Sequence, residues 1–259
     1  MGIKIKIVTT LHGTDITLVG KDKSFEPVVS HSLFESDVVT AVSNSLKNET
    51  YKYFNYDGEI NVVPNFIDFQ RFNKQPKDHF KKMIAPNNEK VIIHTSNFRK
   101  VKRVFDVLEV FRKIAKEIPA KMLFIGDGPE RNMLEKECMS CDMCKDITFL
   151  GKQEAVEEIL SIADLFIIPS ETESFGLAAL EAMACEVPVI STNTGGLKEV
   201  NIDGVTGFTS DVGDTTKMAK DALHILKEEN LAQFKSLAKM HSLKYKLDTI
   251  LPIYERLYL

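Results

Sequence analysis

Nearly continuous apolar runs alternate along this chain with longer segments in which apolar residues recur every three to four positions. The run LFII at 165–168 is typical of a parallel strand that is buried on both faces. Such runs predict strands at residues 3–10, 37–43, 60–63, 91–94, 121–125, 147–150, 165–168 and 187–191, with a turn and a short strand around Gly204 and Gly207.

The segments between these strands have helical periodicity. In residues 104–118, for example, Phe105, Leu108 and Phe111 fall on one face of a helix. Strands that alternate with helices predict an α/β fold with doubly wound parallel sheets and right-handed crossovers. The predicted helices cover residues 45–54, 104–118, 154–162, 197–200, 214–227, 231–240 and 243–258, with two more that begin near Pro129 and near Phe175.

A polar region at residues 66–90 interrupts the alternation and contains Pro76 and Pro86. Its composition predicts an interdomain linker followed by a lead-in helix. The predicted domains are therefore 1–70 and 71–242, and the final helix at 243–259 follows them.

The stretch 169–196 carries the clearest chemical signal. The helix predicted from Phe175 is apolar almost all round, yet it contains Glu181, and an unpaired buried carboxylate is costly. Glu173 precedes this helix at the carboxyl end of a strand, where open α/β sheets bind their ligands. The backbone amides of residues 174–177 and the following Gly195-Gly196 loop suit a phosphate, so the stretch favours a sugar nucleotide.

Each glutamate also has a purely structural interpretation. Glu173 is compatible with an acid favoured by the helix dipole, and Glu181 with a salt-bridged or partly solvated side chain. The pair of carboxylates beside a phosphate-type helix start favours the functional interpretation.

A basic stretch, Arg99-Lys100-Val101-Lys102-Arg103, lies directly between a predicted strand and a predicted helix. Five such residues commonly form a solvated surface. Their position at a strand end places them on the same cleft, where cations neutralise a diphosphate leaving group. The candidates are Lys102 together with Arg99 or Arg103.

Composition narrows the range of functions. The chain has 259 residues, of which 44% are apolar, and a formal net charge of −4, so nothing in its charge indicates nucleic-acid binding. It has no apolar run of the roughly 20 residues that span a membrane, and its start does not resemble a signal peptide. We therefore expect a cytoplasmic protein, and the sequence leaves a homo-oligomer open.

Three cysteines, Cys138, Cys141 and Cys144, are regularly spaced. This spacing resembles part of a metal-binding loop, but a fourth ligand at a suitable distance is absent. Reduced cysteines near a helix end are the expected alternative in a cytosolic protein, and we expect neither a metal nor a cofactor.

Taken together, these motifs resemble the retaining GT-B glycosyltransferases of family 4. Glu173 and Glu181 match the E-x7-E motif of that family, and the resemblance extends in order from about Thr9 to Phe208. Its other segments are Gly126-Asp127-Gly128-Pro129, Phe149-Leu150-Gly151, Pro188-Val189-Ile190, Gly195-Gly196 and Gly204-x-x-Gly207-Phe208. The resemblance implies a GT-B fold in which a complete C-terminal Rossmann-like domain follows a truncated N-terminal acceptor domain, with the final helix crossing back to the N-terminal lobe.

The resemblance also implies the reaction. The segments 9–17, 36–43, 65–68, 96–104, 149–153 and 173–185 are similar to family members that transfer N-acetylglucosamine from UDP-N-acetylglucosamine to the hydroxyl of L-malate, the first step of bacillithiol biosynthesis. Two alternatives stay open: a family 4 transferase with another acceptor, and a non-catalytic fragment that binds a UDP-sugar.

The same resemblance implies a role for each matching residue. His12 contacts the donor sugar, Lys102 binds the diphosphate, and Glu181 binds the ribose hydroxyls. Glu173 holds the sugar 3-hydroxyl and a phosphate together with the backbone of Ser174, Phe175, Gly176 and Leu177. The remaining implied contacts are Gly126, and Gly151 with Lys152 at the uracil.

Two departures from the family pattern matter. Asn97 stands where many members have an arginine, so Arg99 or Arg103 is expected to supply that charge. The chain also starts after the expected first strands of the N-terminal lobe, which places most of the acceptor site outside this sequence.

Overall fold

The computed structural model describes residues 5–19, 22–139 and 143–259. The first part of the chain forms a parallel sheet of three strands in the order β1 (Val8–Leu11), β2 (Val38–Ala41) and β3 (Ile60–Val62). A π-helical turn at Asp15–Val19, helix α1 (Glu26–Phe34) and helix α2 (Asn44–Tyr53) connect these strands. The sequence did not predict α1 or the π-helical turn.

The second part contains a sheet of six parallel strands. The strands are β4 (Lys90–Ser96), β5 (Ala120–Gly126), β6 (Ile147–Gly151), β7 (Leu165–Ile168), β8 (Val189–Thr192) and β9 (Gly207–Ser210). Their order is β6-β5-β4-β7-β8-β9, which is the doubly wound order 3-2-1-4-5-6. The predicted α/β class with doubly wound parallel sheets is confirmed.

Helices cover both faces of the six-stranded sheet. One face packs against α4 (Val104–Ala115) and α9 (Thr215–Leu226), and the other packs against α7 (Leu177–Ala184). The remaining helices are α3 (Asp78–Ile84), α5 (Arg131–Met139), α6 (Val156–Leu160), α8 (Leu197–Val200), α10 (Glu228–Ser242) and α11 (Leu247–Tyr258). None of the helices in the described ranges is long and apolar enough to span a membrane.

Several predicted boundaries shift by a few residues. The first strand begins at Val8 rather than at residue 3, and residues 1–4 lie outside the described ranges. The helix expected from Phe175 begins at Leu177, because Gly176 has a left-handed φ of 99°. The helix expected at 243–258 is a 3₁₀ turn at Leu243–Tyr245 followed by α11, because Lys246 between them is extended.

The two parts of the chain pack together. Buried apolar residues of the first sheet and of one face of the second sheet form a single continuous cluster. The segment around Ile67 also runs beside the segment that precedes α11. The Ile67 N–H donates to the Tyr245 carbonyl at 2.9 Å, and Ile67 pairs with Lys246 in a parallel bridge. The order of the second sheet reverses between β4 and β7, and the loop after β7 contacts the first part of the chain through Ser174 and Ser43.

Candidate active site

The loops that follow β4 and β7 meet through an ion pair between Lys102 and Glu173. Ser170 donates a second hydrogen bond to the same Glu173 oxygen at 3.1 Å. The side chains of Lys102 and Glu173 are 21% and 13% exposed, so both reach solvent at the cleft while most of their length is covered. This position is the switch point of the sheet, where ligands bind in open α/β folds.

The Gly195-Gly196 loop fixes the backbone at Glu173. The Gly196 N–H donates to the Glu173 carbonyl at 2.8 Å. A Cβ atom on Gly195, whose φ is 52°, would lie 1.9 Å from that same carbonyl oxygen. Only glycine therefore lets the two loops approach this closely, and the approach holds the Glu173 side chain over the cleft.

The start of α7 presents backbone amides to the same cleft. Gly176 adopts its left-handed φ at the N-cap, and the Ala179 N–H is bonded to the Gly176 carbonyl. The N–H groups before Ala179 have no acceptor inside the helix, which makes the helix start suitable for an anion. Leu177 is 42% exposed at this end, whereas the Phe175 ring is buried and packs edge-on against Tyr245. Phe175 can therefore reach a ligand only through its backbone.

Glu181 lies one turn further along α7, and burial raises its pKa to about 7. Arg71 lowers this pKa and Glu157 raises it, but Arg71 Nε is engaged with Glu157 at 3.0 Å. Among the residues that the structure describes, the Glu181 carboxylate has no hydrogen-bond or ion-pair partner. A half-buried carboxylate with unused acceptor oxygens suits a ligand that donates hydroxyl protons.

The basic stretch divides into side chains with different partners. Arg103 donates to Asp106 at 2.6 Å and to Glu171 at 3.0 Å, and these bonds raise its pKa. Arg99 is exposed and has no ion pair within the described part of the chain. Of the two candidate arginines, the structure therefore leaves Arg99 free to meet an anion and commits Arg103 to its neighbours.

The remaining predicted loops lie at the same edge of the sheet. Gly126 has a φ of 117°, and a Cβ atom on it would lie 1.9 Å from the Ser96 carbonyl oxygen. A Cβ atom on the neighbouring Gly128 would lie 1.9 Å from the carbonyl oxygen of Asn97. The side chain of Asn97 is exposed. Gly151, with a φ of 67°, is the last residue of the edge strand β6, and the exposed Lys152 follows it. These two residues therefore lie two strands away from β4, at the far end of the cleft.

The first sheet brings His12 to the opposite wall. Ser43 Oγ donates to the Ser174 carbonyl at 2.6 Å, and a Cβ on Gly13 would lie 2.5 Å from Ser174 Cβ. His12, next to Gly13, is exposed and lines a depression of about 380 Å³ with Thr10, Pro64, Asn65, Phe66, Leu251, Tyr254 and Tyr258.

Helix α11 reaches the first sheet through Tyr254. Tyr254 lines the same depression as Thr10, and burial raises its pKa while the hydroxyls of Thr10 and Thr40 lower it. Sequence reasoning missed Tyr254, Ser170 and Arg71. Ser170 carried a usable signal because it directly follows a strand, but the other two meet the site only through long-range packing.

The cysteines form no metal centre in the described ranges. Cys138 is buried and Cys144 is exposed, while Cys141 lies outside those ranges. No group of three or more His, Cys, Asp or Glu side chains among the described residues is arranged to hold a metal ion.

Two parallel sheets, with a cation, a carboxylate and a helix start at the switch point of the second, are the arrangement expected of a GT-B glycosyltransferase. The chain belongs to the family of glycosyl transferases group 1, whose model matches residues 75–241. The model of Glycosyltransferase Family 4 matches residues 2–71. The prediction that the protein is a hexosyltransferase is thereby confirmed.

Similar proteins agree with this assignment. The chain is 44% identical over 261 residues to N-acetyl-alpha-D-glucosaminyl L-malate synthase of Bacillus anthracis, with 100% of this chain and 68% of that protein covered. It is 29% identical to the putative teichuronic acid biosynthesis glycosyltransferase TuaC of Bacillus subtilis, over 76% of this chain and 49% of that one. The crystal structure of Anabaena Alr3699/HepE in complex with UDP and glucose superposes with a TM-score of 0.85 at 21% identity, covering 97% of this chain and 71% of that one. This last likeness confirms the GT-B fold.

Proposed function

We propose that this protein transfers N-acetylglucosamine from UDP-N-acetylglucosamine to the hydroxyl of L-malate, with retention at the anomeric carbon. The observation that carries the proposal is the 44% identity along the whole chain to an enzyme named for this product. The reaction is the first step of bacillithiol biosynthesis. It breaks the bond from the anomeric carbon to the UDP oxygen and the O–H bond of malate, and it forms a bond from that carbon to the malate oxygen. The hydroxyl proton leaves with the departing UDP, whose phosphate oxygen gains negative charge.

The leaving diphosphate is stabilised by Lys102, Arg99 and the amides of residues 174–177. Negative charge builds on the β-phosphate as the glycosidic bond breaks, so cations and a helix start that are already in place lower the barrier. The ion pair with Glu173 supports this assignment, because it keeps Lys102 Nζ at the cleft before the donor arrives.

The two glutamates act as binding groups. Glu173 accepts a hydrogen bond from the sugar 3-hydroxyl, and Glu181 accepts from the ribose hydroxyls. Support comes from Glu181, whose carboxylate oxygens have no protein donor among the described residues. Neither carboxylate serves as a hydrolase acid or base, since the acceptor hydroxyl is itself the nucleophile.

The other proposed contacts surround these groups. His12 meets the donor sugar from the wall of the first sheet, next to the close approach of Gly13 and Ser174. Gly151 and Lys152 face the uracil at the far end of the cleft. The proposed domain division at 1–70, 71–242 and 243–259 places the donor chiefly on the second domain.

The test is a turnover assay with paired acceptors. Purified protein is incubated with UDP-N-acetylglucosamine and either L-malate or succinate, which differs from malate only in lacking the hydroxyl. We expect UDP release with L-malate alone, an α-anomeric proton in the NMR spectrum of the product, and loss of turnover in Glu173→Gln.

Other results would separate the alternatives. Turnover with a different hydroxyl acceptor but not with L-malate would overturn the acceptor assignment and keep the transferase. Tight UDP-sugar binding with no turnover on any acceptor would identify a non-catalytic binding protein.

A further inference from the structure

His94 is a fully buried polar residue in the middle of β4, behind the candidate active site. Its Nδ1 lies 2.8 Å from the Ile167 carbonyl on β7, and its Nε2 lies 2.8 Å from Ser96 Oγ. It therefore joins the two strands that flank the switch point.

The bond directions follow from the chemistry of the partners. A carbonyl only accepts, so Nδ1 carries the imidazole proton and donates to Ile167. Nε2 then accepts from the Ser96 hydroxyl, whose oxygen is left to accept from the Phe98 N–H at 3.2 Å. Burial lowers the pKa of His94 to about 4, which keeps the ring neutral at pH 7, as this arrangement requires.

Phe98 has an unusual backbone. Its φ is 37°, and a bulky side chain in the left-handed region is strained. Its ring is fully buried and packs against those of His94 and Phe124, with centroids 6.1 and 6.0 Å away. Its carbonyl accepts from the Glu130 N–H at 3.0 Å. The surroundings thus hold Phe98 in its strained conformation from every side.

A second strained residue lies just beyond. Arg103 has a φ of 51°, and between the two lies the 3₁₀ turn Lys100–Lys102. In the described ranges only two other non-glycine residues have positive φ, Asn88 and Glu186. Backbone strain of this kind persists only where surrounding contacts hold the residue in place, and it is common at functional sites. The turn that carries Lys102 therefore lies between two residues, Phe98 and Arg103, whose backbone conformations are held by the surrounding structure.

We infer that His94 is a positioning residue that acts through Ser96 and the Phe98 N–H to fix the turn that presents Lys102 to the diphosphate. This inference rests on the proposed donor site. Because the relay ends at a phosphate-binding turn, it affects the phosphates of the donor and leaves contacts to the nucleoside unchanged.

The test compares His94→Asn, Ser96→Ala, the double variant and a control, Ile92→Val. Asparagine can still donate to Ile167 but is too short to reach Ser96, and alanine removes the hydroxyl from the relay. Ile92 is buried in the same cluster as Phe98, so its variant loosens the same core without touching the relay. Affinities for UDP and for uridine are measured by calorimetry on the full chain.

We expect each relay variant to bind UDP about tenfold more weakly, as befits one lost buried hydrogen bond, with uridine affinity unchanged. The double variant should bind UDP no more weakly than either single variant, because the two substitutions break the same relay. Ile92→Val should alter neither affinity. Equal losses for UDP and uridine, or additive losses in the double variant, would overturn the inference.

Hydrogen–deuterium exchange of residues 97–103 in the ligand-free protein gives an independent readout. The relay variants should exchange about tenfold faster there, and Ile92→Val should not. If the wild-type protein bound no UDP, the proposed function would fail, and this exchange experiment would still decide the positioning role. Unchanged exchange in Ser96→Ala, the mildest variant, would refute it.

Discussion

Lys102 and Glu173, carried by the loops after two neighbouring strands of the sheet, form an ion pair across the switch point. In the free protein each charge neutralises the other at the mouth of the cleft. When a nucleoside diphosphate enters, its negative charge supplies a second partner for Lys102, and Glu173 becomes available to a sugar hydroxyl.

Lys102→Ala should weaken UDP binding by about ten- to a hundredfold, because a charge-assisted hydrogen bond to phosphate is lost. Lys100→Ala is the matched control: it lies in the same turn, is exposed and has no ion pair among the described residues. Calorimetric titration with UDP measures both variants. Equal weakening by the two would mean that only the general positive charge of the turn matters.

Glu181 should make nucleoside binding depend on pH. Burial raises its folded pKa to about 7, and ribose hydroxyls donate stronger hydrogen bonds to the ionised carboxylate than to the neutral carboxyl. Uridine carries no phosphate, so its affinity does not depend on the cations proposed for the diphosphate. We expect uridine affinity to rise between about pH 6 and pH 8, by at most about tenfold per pH unit, and to become weak and independent of pH in Glu181→Gln. A flat profile in the wild type would contradict the assignment.

The same carboxylate should lower the stability of the free protein. A carboxyl whose folded pKa exceeds its unfolded value stabilises the fold below the unfolded pKa and loses this contribution as the pH rises through the folded pKa of about 7. Glu181→Gln should therefore raise the unfolding free energy at pH 8 by about 1–3 kcal/mol and change it little at pH 4. Thermal melting at both pH values checks this, and a destabilised Glu181→Gln protein at pH 8 would refute it.

A comparison of Gly195 with Gly204 tests the close contact between Gly195 and the backbone of Glu173. Both have left-handed φ, 52° and 72°, but a Cβ on Gly195 meets the Glu173 carbonyl at 1.9 Å while one on Gly204 meets nothing within 4 Å. Gly204→Ala should cost about 1 kcal/mol of stability and leave UDP affinity unchanged. Gly195→Ala should cost more and also weaken UDP binding. Identical behaviour of the two variants would show that the contact does not matter.

Glu199 joins the two sheets at the start of α2. Its carboxylate accepts from the backbone N–H groups of Asn44 at 3.0 Å and Ser45 at 2.8 Å, where the helix dipole favours negative charge. Glu199→Ala removes this contact and should lower the free energy of unfolding by about 1–2 kcal/mol. It should also speed hydrogen exchange in residues 44–53. Glu229→Ala, which removes an acid from the first turn of α10, is the control and should leave that segment unchanged.

The sequence predicted the second sheet well because its strands are continuous apolar runs. The strand at Leu165–Ile168 and the helix at Leu197–Val200 have the bounds expected from the pattern. Helix α1 was missed since its apolar residues follow no helical period and only Leu33 is buried. Helix α7 begins two residues later than the sequence predicts, because Gly176 adopts a left-handed conformation that depends on its tertiary contacts.

Candidate site residues could be chosen from the sequence where a local signal existed. Glu173, Lys102 and Glu181 stand out because charged residues follow a strand or interrupt an apolar helix. Arg103 could not be separated from Arg99, since its partners Asp106 and Glu171 are set by the fold. The partners of His94 depend likewise on the pairing of two strands that are distant in sequence.

The central claim is that the switch point binds the nucleotide of a UDP-sugar, and calorimetry of UDP binding tests it most directly. The wild-type chain is titrated beside Lys102→Ala and Glu181→Gln, with circular dichroism confirming that all three are folded. We predict saturable binding by the wild type that is weakened about tenfold or more by each substitution. A folded wild-type chain that binds no UDP, or binding that neither substitution alters, would contradict the claim.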